Sequence, residues 1–197
     1  MQKHSYWKRH ARNRKACQWA WRTSKVNKMY GWLYTIIIYP IIFIFPAYAA
    51  NGAPVIFGKG SKPITSARFR GRPVLGSHKT RRGLAAGILC GVLAGFLESL
   101  APGFGFMLAV GILESIGTHA GDLLGSFIKR QIQVKEGHPA PLLDQYPFLV
   151  LALAFALPLV SHFPSIYGII FLFALTWAMH RLTNLGAHRL KIKEVPW

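Results

Sequence analysis

The sequence predicts an all-α integral membrane protein, a bundle of about five transmembrane helices with two long cytoplasmic loops. Three observations lead there. The chain has 197 residues, is 52% hydrophobic and has a mean hydropathy of +0.28, yet it carries 24 Lys and Arg against 6 Asp and Glu. The cations are blocked rather than spread: nine lie in residues 1–28, eight in 51–82, three in 125–146 and four in 181–193. The stretches between these blocks are apolar and of bilayer-spanning length. A bilayer imposes this separation of charge from apolar surface. The hydrophobic content excludes a disordered chain. A nucleic-acid-binding domain would carry its cations on helices that also pack a core, so no nucleic-acid partner is expected.

The first span is read over residues 31–50, 20 residues without a charge. At 1.5 Å per residue it covers about 30 Å, the thickness of the hydrocarbon core. Pro40 is expected to kink it, which membrane helices tolerate. Ala47-Tyr48-Ala49 imitates a signal-peptidase site, but the apolar run is longer than a usual signal core. The second span is 84–100. Gly83, Gly87, Gly91 and Gly95 recur every four residues and form one smooth face that permits close helix contact. A turn at Ala101-Pro102-Gly103 leads to a third helix from 104 to about 127, polar towards its C-terminal end. The fourth and fifth spans are read over 148–163 and 166 to about 182, separated by Pro164. Trp32, Tyr34, Tyr48 and Trp177 fit interfacial anchoring. Glu98 and Glu114 read as interfacial acids or partners of Arg. Cys17 and Cys90 lack metal-site spacing and read as free thiols.

Two connections, 51–83 and 128–147, are long and polar; the other two are very short. With five spans both long loops and the C-terminal tail share one face, and they hold 15 cations where the short loops hold none. The positive-inside rule makes that face cytoplasmic and the protein a multi-pass protein of the cell (inner) membrane. The basic tail 1–28 disagrees, since five spans put it outside. Three readings stay open: it is translocated against the rule, the first segment does not span, or the tail is not native and translation starts at Met29. The last is preferred. Residues 29–183 then form a transmembrane catalytic domain, and 184–197 a basic cytoplasmic tail.

Acids are few, which makes their placement informative. On the third helix Asp122 shares a face with Ser115, His119, Ser126 and Lys129, all within about 60° at 100° per residue. Such a stripe is costly against lipid and should face the bundle interior or a water-filled cavity. The segment reads Gly121-Asp122, Ser126, Lys129-Arg130, then Asp144-Gln145. Upstream stand Asn51, Pro63-Ile64 and Lys79-Thr80-Arg81-Arg82-Gly83.

As an ordered set these residues resemble the CDP-archaeol synthase family of membrane CTP-dependent cytidylyltransferases, and are distantly similar to bacterial phosphatidate cytidylyltransferase. The resemblance runs from about Tyr34 to Phe155. It implies five transmembrane helices, a polar cavity opening to the cytoplasm, and reaction of CTP with a lipid glycerol phosphate to give a CDP-lipid and pyrophosphate. By the same resemblance Asp122 and Asp144 are Mg²⁺ ligands. The catalytic set is Asp122, Asp144, Lys129 and Arg130, with Lys79, Thr80, Arg82, Ser126 and Asn51 on the substrates.

The chemistry agrees. Mg²⁺ takes one or two carboxylates plus phosphate oxygens and water. Lys and Arg hold the remaining phosphate charge. The lipid phosphate is itself an ionised nucleophile, so no protein nucleophile is required. Three positions depart from the family pattern: Thr65 stands where an acid follows Pro-Ile, Pro147 stands near the place of an acid after Asp-Gln, and Arg81 replaces an aromatic. The competing readings are a non-enzymatic basic membrane protein that binds anionic lipids or a partner through its loops, and a transporter using Asp122. The sequence does not give the oligomeric state.

Overall fold

A computed structural model describes residues 29–134, 138–159 and 163–189 of the chain. The basic tail 1–28 and the chain after Arg189 lie outside those residues, so the readings of the N-terminal tail fall outside them too. Helix α1 is Met29–Phe57 and contains a π-helical stretch, Tyr34–Ile38. A two-stranded hairpin follows, β1 Arg68–Phe69 and β2 Arg72–Pro73, and then α2 Arg81–Ser99 and α3 Met107–Gln131. A short α4, Pro141–Gln145, leads into α5, Pro147–Ala156, which ends in a 3₁₀ turn, Leu157–Leu159. The last helix is α6, Ile166–Arg189.

The chain is a helical membrane bundle, as the sequence predicts. Three helices, Met29–Phe57, Arg81–Ser99 and Ile166–Gly186, are long and apolar enough to cross a membrane. Helix α3 is long but carries the polar stripe. Helix α5 is shorter than the fourth span expected from sequence. The first span exceeds its expected end: α1 runs to Phe57 through Pro46 and Pro54, so Asn51 is an internal helix residue rather than a terminating one. Helix α6 likewise carries the chain past residue 184, where a tail was expected.

Helix α3 is central and packs on α1, α2 and α5. The core joins Phe43, Ile44 and Ala47 of α1, Met107 and Val110 of α3, Phe148, Leu149 and Ala152 of α5, and Leu172 of α6. The glycine face of α2 does what its spacing predicts. A Cβ on Gly95 would lie 2.6 Å from the Met107 carbonyl oxygen and 2.8 Å from the Gly111 Cα; one on Gly91 would lie 2.9 Å from the Pro46 carbonyl oxygen. Backbones therefore touch where side chains would stand. On its other side α3 meets α5 through Gly117, Gly121 and Gly125; a Cβ on Gly121 would lie 2.6 Å from the Phe148 Cα.

Some expectations for single residues change. Glu114 is wholly buried inside the bundle. Tyr48 is an internal tie, its hydroxyl 2.7 Å from that of Thr176 on α6, while Trp32, Tyr34 and Trp177 are exposed on the helix surfaces. Cys90 is a free, half-buried thiol.

Candidate active site

The first long connection is drawn back on itself before it reaches α2. Ile64 N–H donates to the Lys79 carbonyl at 2.7 Å and Arg81 N–H to the Lys62 carbonyl at 3.2 Å, an isolated antiparallel bridge between Pro63 and Thr80. The hairpin farther out turns on Arg70 (φ 52°) and Gly71 (φ 77°), two positive-φ residues as a tight two-residue turn requires. It is fastened to the end of α3: the Phe69 and Phe127 rings lie 6.0 Å apart, and the Arg72 guanidinium donates to the Gln131 carbonyl. The loop is thereby held over the C-terminal end of α3, beside α4 and the last turns of α6.

A cavity of about 640 Å³ lies there. Successive turns of α3 line it with His119, Asp122, Ser126 and Lys129. Helix α1 contributes Asn51, the first loop Lys79 and Thr80, α4 Asp144, and α6 His180 and Asn184. The polar stripe read from the sequence thus faces inward; Ser115, its innermost member, is buried and donates to the Gly111 carbonyl at 2.5 Å.

Asp122 and Asp144 come to the same cavity, and each is engaged by a lysine. The Lys79 ammonium lies 2.5 Å from both oxygens of Asp122. Lys129 pairs with Asp144 Oδ1, and the other Asp144 oxygen accepts the Ala140 N–H at 2.8 Å, which fixes the carboxylate at the start of α4. All four side chains are partly exposed to the cavity. His119 is only 6% exposed and its Nε2 has no hydrogen-bond partner among the described residues. Its ring fits because Gly87 has no side chain; a Cβ there would occupy the ring's place and lie 2.7 Å from the Ala50 carbonyl oxygen.

Of the residues singled out in the sequence, Asp122, Asp144, Lys129, Lys79, Thr80, Ser126 and Asn51 line the cavity; Arg82 and Arg130 do not. Arg82 is exposed at the first turn of α2, and Arg130 sits one residue round α3 from the lining face. Thr80 is committed within the chain. Its hydroxyl donates to the Gly58 carbonyl at 3.1 Å and accepts the Gly83 N–H at 3.2 Å, so it caps α2. Its place against the cavity is structural first. Thr65 accepts the Ala67 N–H at 3.0 Å in the exposed loop and does not line the cavity. Pro147 opens α5 at its first turn, a position where proline is at home.

Sequence reading missed His180, Asn184 and the Lys59-Gly60-Ser61 turn, all on the cavity wall. Gly60 (φ 71°) was the available signal for that turn. Nothing in the apolar pattern of α6 ties its last turns to α3.

The donor set suits a hard cation. Asp122 and Asp144 could offer it oxygen ligands, and no three His, Cys, Asp or Glu side chains converge among the described residues. Such an ion would complete its shell from substrate phosphate and water, which is how Mg²⁺ is commonly held. Three lysines, Lys59, Lys79 and Lys129, give the same walls cations for a polyphosphate.

The fold and site define a helical membrane bundle with a polar cavity at one end, walled by two carboxylates and three lysines. A family model described as CarS-like, CDP-archaeol synthase, matches residues 33–197. The CDP-archaeol synthase of Hyperthermus butylicus is 45% identical over 166 residues, covering 80% of this chain and 94% of its own length. That of Pyrococcus abyssi is 43% identical over 161 residues, covering 79% and 95%. A solved structure described as an intramembrane enzyme for archaeal membrane lipids biosynthesis superposes with TM-score 0.70 at 36% identity, over 76% of this chain and 94% of that one. The chain belongs to the CDP-archaeol synthase family.

Proposed function

We propose that the protein transfers the cytidylyl group of CTP to a lipid glycerol phosphate, forming a CDP-activated lipid and pyrophosphate, with the cavity facing the cytoplasm of a multi-pass membrane protein. The observation that carries this reading is that the Asp122–Lys79 and Asp144–Lys129 ion pairs line one cavity. Family membership supports the choice of nucleotide and lipid. The loop cations support the orientation.

An oxygen of the lipid phosphate attacks the α-phosphorus of CTP, and the bond from that phosphorus to the β-phosphate oxygen breaks as pyrophosphate leaves. The nucleophile is already ionised, so no side chain need take a proton from it. Asp122 and Asp144 would hold a Mg²⁺ ion, which would supply positive charge against the phosphates. Lys79 and Lys129 reach the same space and would hold phosphate oxygens in line. Lys59 adds a third ammonium at the loop side of the wall. Catalysis of this kind is positioning plus electrostatic stabilisation in a site of low dielectric.

The direct test is purified protein with CTP, Mg²⁺ and lipid phosphates bearing ether-linked or ester-linked chains. Pyrophosphate release that requires all three is expected. No release with either chain type overturns the proposal.

A further inference from the structure

We infer that Lys79 and Lys129 act as counter-ions that hold the two aspartates for the metal, so that metal and triphosphate enter the cavity as a unit by exchange of ion-pair partners. The inference rests on the function proposed above and adds to it a rule of binding. Asp122 and Asp144 are the two acids on the described cavity wall, and each already has an ammonium against it. Lys79 spans both oxygens of Asp122, the face a cation would use. Asp144 has one oxygen on Lys129 and the other on the Ala140 N–H. The carboxylates proposed for the metal and the ammonium groups proposed for the phosphates are thus bonded to each other.

Consider each ligand alone. A divalent ion that takes Asp122 must push the Lys79 ammonium aside and leave it facing a like charge at close range. A triphosphate that draws off Lys79 and Lys129 leaves two carboxylates facing phosphate oxygens. Both outcomes place like charges together at a few ångströms, which is unfavourable even with the partial screening of an open cavity. When the two ligands arrive together, every charge changes partner and none is left bare. The aspartates pass from ammonium to metal, and the lysines from carboxylate to phosphate. Coupling of this sort is reciprocal: each ligand strengthens the other by the same factor. It also gives Lys79 and Lys129 a positioning role distinct from contact with phosphate, since they keep the carboxylates extended into the cavity.

The full chain in nanodiscs of neutral lipid provides the test, with Mn²⁺ read by electron paramagnetic resonance as the metal probe and CTP as the nucleotide. Wild-type protein should bind Mn²⁺ weakly alone and about tenfold or more tightly with CTP. Lys79→Met should bind Mn²⁺ alone about tenfold tighter than wild type while binding CTP more weakly. A lysine that served only as a phosphate contact would leave metal-alone affinity where it was. Lys79→Arg restores the ion pair and should return Mn²⁺ binding to the weak wild-type level. Lys129→Met repeats the test at Asp144, so the comparison survives if one variant misfolds. Wild type that binds CTP yet holds Mn²⁺ as tightly alone as with CTP overturns the inference, as do folded Met variants with no gain in metal affinity. A gain in Mn²⁺ affinity in the Met variants without CTP binding by any form upholds the counter-ion role and refutes the nucleotide.

Discussion

Asp122 and Asp144 have no substitute on the described cavity wall, because every other charged side chain there is a lysine. Asp122→Asn and Asp144→Asn should each lower turnover about 100-fold or more, the scale of losing one preorganised electrostatic group. Thermal melts should show both variants folded; a wild-type rate in either would remove it from the site. Arg82 and Arg130 make the converse case, since the sequence motif names them and the cavity excludes them. Arg82→Ala and Arg130→Ala should weaken CTP binding less than Lys79→Ala does, as measured by equilibrium binding. The limit of sequence reading at this scale is visible here. Asp122, Ser126 and Lys129 are legible because helical spacing puts them on one face. Arg130 has the right chemistry but lies 100° round the same helix. A motif written as adjacent letters does not record that rotation.

Helix α2 shows how much a spacing of four can specify. Its glycines give the line of contact with α1 and α3: a Cβ on Gly95 would meet the backbone of α3, and one on Gly87 or Gly91 would meet both a polar side chain of α3 and a carbonyl oxygen of α1. Gly95→Ala should destabilise the bundle by about 1–3 kcal/mol, the usual penalty for overpacking. Gly105→Ala, which meets open space within 4 Å, should leave the melting temperature unchanged. Equal melting temperatures for the two variants would refute the close packing. Thr80→Ala should cost about 1 kcal/mol through the lost cap of α2. Its effect on KM for CTP should follow from the displaced Lys79 rather than from a missing phosphate contact. Other elements were less legible. The hairpin of Arg68–Phe69 with Arg72–Pro73 escapes an all-helical reading because its strands are two residues long and its turn contains an arginine at positive φ. Helix α5 proves shorter than its apolar run because the hydrophobic pattern continues through Pro158, where the backbone has passed into a 3₁₀ turn.

For the molecule as a whole, segregation of charge made the architecture readable without any motif. Residues of both long connections and of the last turns of α6 line one cavity. Orientation is testable by labelling. With Cys17 and Cys90 replaced by Ser, single cysteines at exposed Lys62 or Arg70 should react with an impermeant maleimide in inside-out vesicles and not in right-side-out ones. Labelling from the outside would reverse the topology. Less legible was the contribution of α6 to the cavity. Contact between the last turns of a final helix and the interior of the bundle depends on how the helices cross, and no local pattern encodes that angle.

The glycine face of α2 also bears on biogenesis. In water each helical glycine costs about 1 kcal/mol relative to alanine, so a segment with four of them has little tendency to coil in the cytosol. Inside hydrocarbon the balance reverses, because an open peptide group has no solvent partner there and must satisfy itself within the segment. This stretch should therefore gain its helical form on entering lipid and dock against its neighbours afterwards. The residues that weaken it before insertion are those that allow the closest embrace once it is in place.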